Sequence, residues 1–352
     1  MSYKPDATCL ISRITIVLML FWLPVSGQYN FSSLDEQLER STKLLGGGVI
    51  MLVHKDDSLI YKKEVGEDFS AKIAAPVGTV SQWIAAATVM TFVDQGKLRL
   101  DDPVAKYLPV FGKYAKGYLT IRHCLSNTTG IESEPGKVGK VFGGRRKFAT
   151  LEDEVNAIAA KEISDNPEKE FYFGNFGINI AARVVEVIGK KSFDRLAQEK
   201  ITRPLRMRTT SFTDVNGGAV NPSSGARSSA NDMMNFLVMI LNDGKFEGKQ
   251  VLSEKALEEM QTIQFAGLPV KYKPEEATGF DFGLGNWIMD KDAPDKPGTI
   301  LFPGSNGTWG IVDRCRKYAA VILAKKAAEE VKQRTFIDLK AGIEEQVPGT
   351  CN

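Results

Sequence analysis

The sequence has few of the residues on which metal sites and catalytic triads depend. Among 352 residues there are two histidines, His54 and His123, and four cysteines. Two scattered histidines argue against both a His-rich metal site and a Ser-His-Asp triad. A Gly-x-Ser-x-Gly elbow, a phosphate-binding loop and a dinucleotide fingerprint are also missing from the sequence. We therefore expect neither a metal nor a cofactor.

An excess of charge of either sign is lacking as well. The formal net charge is +2, which predicts no nucleic-acid partner and no attraction to an anionic membrane. One basic run, Gly143–Lys147, could bind a polyanion, but an isolated run of this kind is more often a solvated loop. Hydrophobic residues make up 43% of the chain, so a substantial core is possible without metals or many disulfides.

The N-terminus carries the most apolar run of the chain. Lys4 and Arg13 precede the stretch Ile14–Val25, and Val25-Ser-Gly27 supplies small residues for cleavage. This pattern predicts a signal peptide over residues 1–27 and a mature chain from Gln28, either secreted or periplasmic. The run of about twelve residues is shorter than the roughly twenty that span a bilayer, so no stable membrane span is expected.

Three cysteines remain after such processing: Cys124, Cys315 and Cys351. An oxidising compartment would allow at most one intramolecular bridge among them. Pairing of Cys315 with Cys351 would tie the C-terminal tail to a strand, and we favour that pair. Cys124 lies among apolar residues and is expected to be a small buried side chain rather than a reactive thiol.

Three sites match the N-glycosylation acceptor pattern: Asn30-Phe-Ser, Asn127-Thr-Thr and Asn306-Gly-Thr. Their meaning depends on whether the host glycosylates exported proteins, which the sequence does not show.

Periodicity predicts strands at both ends of the chain and helices between them. The expected strands are Gly48–His54, Leu59–Val65, Phe282–Met289, Thr308–Asp313 and Lys317–Ala324. The expected helices are Phe31–Leu45, Val80–Gln95, Leu151–Lys161, Gly177–Ile188, Ala230–Leu241 and Ala327–Glu344. The order predicts an α+β fold in which both chain ends form one antiparallel sheet, with a mostly helical subdomain inserted. Residues 28–352 would form one domain, its α/β part about 31–76 and 278–352 and its helical part about 77–277.

Several phrases resemble the serine beta-lactamase-like superfamily. They lie between about Gly47 and Lys325 in the family's order: Gly96–Pro109, Leu119–Ile131, Phe173–Phe193, Pro204–Met207, Ser228–Asp232 and Phe282–Trp287. The superfamily includes class C beta-lactamases, penicillin-binding D,D-carboxypeptidases and esterases. The resemblance implies acyl transfer by a Ser-x-x-Lys pair at a helix start, a Tyr-x-Asn, and a His-x-Gly or Lys-Thr-Gly on a strand. In such a site, lysine and tyrosine take the proton of the serine.

The first of these motifs is altered in this chain. Counting back from Gly96 places the nucleophile at Thr79 and the lysine position at Gln82. Ser81 is an alternative nucleophile in a shifted register, but the lysine position would then be Ile84. The helix start is also open to a structural interpretation, in which Thr79 and Gln82 form a capping box.

The other two motifs are altered too. Phe173 stands at the tyrosine position and Asn175 keeps the asparagine, while Tyr172 is displaced by one residue and is the alternative base. The third motif would include Gly304, in a stretch with neither histidine nor lysine.

These changes favour an impaired or inactive homologue that binds a small molecule or peptide in the family cleft or on another surface. Two alternatives remain open: an active hydrolase with a non-standard nucleophile and base, and a self-assembling scaffold. The sequence leaves the oligomeric state open.

Overall fold

The computed structural model describes residues 29–132, 148–213, 218–293, 296–304, 306–326 and 333–349. The expected signal peptide, the basic run Gly143–Lys147 and Cys351 lie outside the described residues, so the structure does not bear on them.

A seven-stranded antiparallel sheet forms the centre of the molecule, in the order β2-β1-β13-β12-β11-β10-β9. The strands are β1 Val49–Lys55, β2 Ser58–Val65, β3 Ala75–Pro76, β4 Phe171–Tyr172, β5 Arg227–Ser228, β6 Lys245–Phe246, β7 Lys249–Gln250, β8 Val270–Tyr272, β9 Asp281–Phe282, β10 Trp287–Ala293, β11 Lys296–Pro303, β12 Thr308–Asp313 and β13 Tyr318–Ala324. The first strand pairs with the last, from Val49 opposite Ala324 to Lys55 opposite Tyr318. Both chain ends therefore build one sheet, which confirms the predicted α+β architecture.

The helices of the described residues are α1 Ser32–Ser41, α2 Ser81–Asp94, α3 Val110–Lys113, α4 Ile121–Leu125, α5 Leu151–Ala159, α6 Phe176–Gly189, α7 Phe193–Ala197, α8 Ala230–Leu241, α9 Glu254–Gln261 and α10 Gln333–Glu344. Short 3-10 turns cover Gly78–Val80, Val104–Lys106 and Glu275–Ala277, and a π-helical turn covers Gln198–Thr202. Among the described residues, no helix has both the length and the apolarity needed to cross a bilayer.

Helices pack against both faces of the sheet. On one face, the ring of Phe336 from α10 stacks on Trp309 of β12, with 4.7 Å between the ring centroids. On the other face, a Cβ placed on Gly310 would lie 3.2 Å from both Trp83 of α2 and Leu237 of α8. Gly310 therefore lets α2 and α8 approach the sheet closely, and α2 becomes a central helix buried along nearly its whole length.

The strands near the C-terminus differ from the prediction in two ways. The expected strand Phe282–Met289 is two strands, because a turn containing Gly285 with φ of +79° separates Phe282 from Trp287. The strand Lys296–Pro303 was missed. Its prolines, Pro297 and Pro303, are residues that normally argue against a strand, and here both lie near its ends.

The helix limits also shift. The first helix ends at Ser41 rather than Leu45, and two glycines with positive φ, Gly46 and Gly47, follow before β1. Such backbone conformations suit a turn and stop a helix. In the last helix the described part begins at Gln333, and the earlier portion of the prediction, residues 327–332, lies outside the described residues.

Candidate functional site

The nucleophile position of the family lies at the buried start of α2. Thr79 falls inside the 3-10 turn Gly78–Val80 and is 4% exposed. The N-cap of this turn is Val77 and that of α2 is Val80, and neither side chain makes a capping hydrogen bond. Thr79 thus does not occupy an N-cap position, and the predicted Thr79–Gln82 capping box is wrong.

Gln82, at the lysine position, makes a long-range contact instead of a local one. Its side-chain nitrogen Nε2 donates a hydrogen bond to the backbone oxygen of Gly174 at 3.2 Å, and the residue is 1% exposed. Gly174 lies between Phe173 and Asn175, so the first two altered motifs meet in space although 92 residues separate them in the chain. A carboxamide does not titrate in the useful range, so Gln82 joins these segments without supplying a base.

Phe173, at the tyrosine position, is part of a buried aromatic cluster and is 3% exposed. Its ring centroid lies 5.2 Å from that of Trp287, 5.9 Å from Phe282 and 6.3 Å from Phe302. Such tilted and edge-on contacts stabilise packing beyond the area that they bury. Phe173 has no proton to exchange, and its side chain serves the core between the sheet and the helices.

The hydroxyl of Ser81, the alternative nucleophile, has two backbone partners. It donates to the carbonyl oxygen of Gly78 at 2.5 Å and accepts from the amide of Ala226 at 3.0 Å. The side chain is fully buried. These bonds connect the start of α2 to the segment that leads into β5, which is a structural use of the hydroxyl.

Tyr172, the alternative base, faces another aromatic side chain. Its ring centroid lies 5.4 Å from that of Tyr272, and its backbone amide donates to the carbonyl oxygen of Asn127 at 3.0 Å. None of the hydrogen bonds of Ser81 reaches Tyr172. The structure therefore does not join these two alternative residues into a nucleophile–base pair.

Gly304, from the third motif, lies beside the start of α2. A Cβ on Gly304 would meet Val80 at 2.9 Å and the side-chain oxygen of Asn306 at 3.1 Å. Asn306 also packs against Gly78, since a Cβ placed on Gly78 would lie 2.8 Å from the Oδ1 of Asn306. The strand-end motif and the helix start are thus in contact, as the resemblance implies, with Asn306 between them.

Several buried polar atoms around this site have no hydrogen-bond partner among the residues that the structure describes. They are the Oδ1 atoms of Asn175 and Asn306, the Oγ1 of Thr308, both side-chain polar atoms of Asn286 and the Nε1 of Trp287. Unsatisfied buried polar atoms are rare, and each one calls for a water, a ligand or another explanation. Asn175 follows Gly174, which contacts Gln82, and Asn306 contacts Gly78, so both asparagines lie near the start of α2.

Two residues near the site were missed from the sequence. The Oδ1 of Asn127 accepts a hydrogen bond from the amide of Gly174 at 3.0 Å, and so positions the segment that carries Phe173 and Asn175. Lys273 places its ammonium 5.6 Å from the ring centroid of Trp287 and donates to the carbonyl of Phe280. Burial lowers the pKa of Lys273. No local pattern marks either residue, since both roles depend on distant segments.

A separate cavity of about 630 Å³ opens elsewhere in the helical region. Its lining includes Arg183, Glu186, Lys190 and Ser192. Arg183 pairs with both Glu186 and Glu152, so its charge is already balanced. None of the altered family positions lines this cavity.

Comparison with known proteins shows which family the chain belongs to. The family described as Beta-lactamase matches residues 38–342. Protein flp of Staphylococcus aureus strain NCTC 8325 / PS 47 is 24% identical over 179 residues, which are 48% of this chain and 35% of flp. The chain thus spans about a third of the length of that curated relative.

Solved structures share the fold along almost the whole chain. A crystal structure of a candidate beta-lactamase from Bacteroides dorei DSM 17855 has a TM-score of 0.80 and 27% identity, covering 91% of this chain and 99% of that one. The octameric penicillin-binding protein homologue from Pyrococcus abyssi has a TM-score of 0.72 and 19% identity, covering 90% of this chain and 79% of that one. With a family match over most of its length and the expected arrangement of sheet and helices, this chain belongs to the beta-lactamase family of serine hydrolases.

Proposed function

We propose that this protein is a catalytically impaired or inactive member of its family that acts by binding. The observation that carries the proposal is the contact between Gln82 and Gly174. At the position where the family has a lysine base, this chain has Gln82, whose carboxamide does not titrate and donates a hydrogen bond to the backbone carbonyl of Gly174. The helix start keeps its contacts with the segments that carry Asn175 and Asn306, but the proton acceptor is missing.

The chemistry of acyl transfer explains why this loss matters. A hydroxyl is a poor nucleophile until a neighbouring group removes its proton. One general base is typically worth about 10² to 10⁴ in rate. With Gln82 and Phe173 at these positions, both of the family's candidate bases are replaced. The rate effects of residues that act as one catalytic unit are not additive, so the two losses are not multiplied.

The unpartnered oxygens support a binding role for the same site. Asn175 and Asn306 each leave a buried Oδ1 without a donor. Leaving such an acceptor unsatisfied typically costs about 1–3 kcal/mol. A small molecule or peptide that offers N–H groups near the start of α2 would satisfy such acceptors.

We also propose that the protein is exported. The support is the N-terminal sequence, in which basic residues precede a short apolar run and small residues follow it. Secretion into a culture medium, followed by sequencing of the mature N-terminus, tests this part, and we expect a start at Gln28.

The catalytic part of the proposal is tested by covalent probes. Purified mature protein is treated with a fluorophosphonate or with benzylpenicillin, and its intact mass is measured. We expect no adduct. A stoichiometric adduct that disappears in Thr79→Ala or Ser81→Ala would instead show an active hydrolase with a non-standard base.

A restored site provides the matched positive control. The combined variant Thr79→Ser, Gln82→Lys and Phe173→Tyr returns the family chemistry, whereas Thr79→Ser alone returns only the hydroxyl. Labelling of the triple variant but not of the single one would place the defect in the missing bases. If the triple variant folds and stays unlabelled, the shape of the cleft has changed as well.

Binding is tested with a panel of D-amino-acid dipeptides and N-acyl amides, observed by ligand-detected NMR. The expected result is reversible binding of at least one compound, weakened at least tenfold in Asn175→Leu. This variant replaces the unpartnered acceptor with an apolar side chain of similar size. Binding that Asn175→Leu leaves unchanged would move the ligand site away from the family cleft, to a surface such as the 630 Å³ cavity.

A further inference from the structure

The three N-glycosylation motifs occupy very different environments in the structure. Asn30 is exposed, Asn127 is 6% exposed, and Asn306 is partly buried against the start of α2. The glycosylation pattern alone does not distinguish the three asparagines. Their surroundings therefore decide which of them can carry a glycan in the folded protein.

The side chain of Asn30 is oriented with its nitrogen free. Its Oδ1 accepts hydrogen bonds from the Oγ of Ser32 at 2.6 Å and from the amide of Ser32 at 3.2 Å. Among the described residues, its Nδ2 has no hydrogen-bond partner. The backbone amide of Asn30 donates to Gln346, which holds this segment against the C-terminal part of the chain. The acceptor nitrogen is therefore displayed on an ordered, exposed turn just before α1.

Asn127 is buried and bonded to neighbouring segments. Its Oδ1 accepts from Gly174, its carbonyl oxygen accepts from Tyr172, and its backbone has a φ of +59°. A glycan on its Nδ2 would have to be attached to a residue that is only 6% exposed and whose Oδ1 holds the segment that carries Phe173. A sugar at this position would therefore disturb that segment in the folded chain.

The side chain of Asn306 also makes contacts within the protein. Its Nδ2 donates to the carbonyl of Pro76, and its Oδ1 is buried against Gly78 and Gly304. Attaching a sugar to this nitrogen would remove the bond to Pro76 and separate the strand-end motif from the helix start.

We propose that Asn30 is an N-glycosylation site and that Asn127 and Asn306 are not used in the folded protein. This inference rests on the proposed export and on a host that glycosylates exported proteins. The donor would be an oligosaccharide joined through a diphosphate to a lipid carrier. Nδ2 of Asn30 forms a bond to the anomeric carbon, the bond from that carbon to the diphosphate oxygen breaks, and the lipid diphosphate leaves with the electron pair. The amide proton is lost to the transferring enzyme.

The position of Asn30 is compatible with the proposed binding role. Asn30 contacts the C-terminal segment through Gln346, and α1 packs beside α10, which covers the sheet face opposite α2. The positions matched to the family motifs lie around the start of α2, on the other face. A glycan at Asn30 would shield the α1–α10 face and leave the start of α2 uncovered.

The test uses the full chain translated in the presence of glycosylation-competent microsomes and, separately, secreted from eukaryotic cells. The folded product is treated with a peptide N-glycosidase in ¹⁸O-water, which converts each glycosylated asparagine to a mass-tagged aspartate. We expect one glycan per chain and a tag at Asn30 alone. Asn30→Gln and Ser32→Ala should abolish the glycan, while Ser32→Thr, which keeps the hydroxyl, should retain it.

Protease protection in the microsomes separates this proposal from the proposed export. A chain that is protected but carries no glycan at Asn30 overturns the glycosylation proposal and leaves export standing. If the chain is unprotected, export fails, and residues 1–27 are then replaced by an established leader so that Asn30 is still tested. A tag at Asn127 or Asn306 in secreted, folded protein would also overturn the proposal.

Discussion

The side-chain amide of Gln82 donates to the carbonyl of Gly174 across 3.2 Å, and thereby joins the central helix to the segment that carries Phe173 and Asn175. This bond occupies the place where the family chemistry would have a titrating lysine. The bond keeps the central helix connected to this segment without a titrating side chain, as the proposed binding role requires.

Gln82→Ala should lower the free energy of unfolding by about 1–3 kcal/mol, because it leaves the buried carbonyl of Gly174 without a donor. Urea denaturation followed by tryptophan fluorescence measures the change. Gln95→Ala is the matched control: Gln95 is exposed at the end of the same helix, and its loss should cost less than about 0.5 kcal/mol. Equal effects of the two variants would contradict a structural role for Gln82.

Asn127 combines two separable contributions, a hydrogen bond to Gly174 and a left-handed backbone conformation. Asn127→Gly should lose only the bond, and Asn127→Ala should be less stable than the glycine variant by about 1–2 kcal/mol because of its Cβ at positive φ. Thermal and urea unfolding of both variants provide the comparison. An alanine variant as stable as the glycine variant would show that the backbone relaxes.

Acidification should weaken the fold through His123, whose pKa burial lowers. The unfolded chain then binds the proton more tightly, so stability is full above the ordinary pKa of about 6.5 and declines as the pH falls below it. Protonation would also remove the acceptor Nδ1, which receives the amide of Thr120 in the capping box of α4.

The measurement is the free energy of unfolding between about pH 7.5 and pH 6, the range in which histidine titrates. His123→Gln should flatten the dependence in part. The double variant with His54→Gln should flatten it further, because burial lowers the pKa of His54 as well. A double variant with the wild-type slope would assign the dependence to other groups.

Cys124 should be unreactive in the native protein. It is 1% exposed, and burial raises the pKa of its thiol, so little thiolate is available. Iodoacetamide at about pH 8 should label the peptide that contains Cys124 only after denaturation, as judged by peptide mass spectrometry. Rapid labelling under native conditions would reveal local opening around α4.

Much of the fold could be predicted from local patterns in the sequence. Thr308–Asp313 and Ala230–Leu241 have the limits that were predicted, because their strand and helix signals are local in the sequence. The strand Lys296–Pro303 was missed because its prolines carry the opposite local signal, which strand pairing overrides. Cys124 was correctly expected to be buried.

The sequence by itself determined the family and the order of elements, since these depend on residue types in a fixed order. Only the tertiary structure decided what the altered residues do. A carboxamide such as that of Gln82 can cap its own helix or bond a segment 92 residues away, and the local sequence is compatible with both. Packing brings Gly174 to Gln82, and this contact, which no local pattern encodes, decides that Gln82 joins two distant segments.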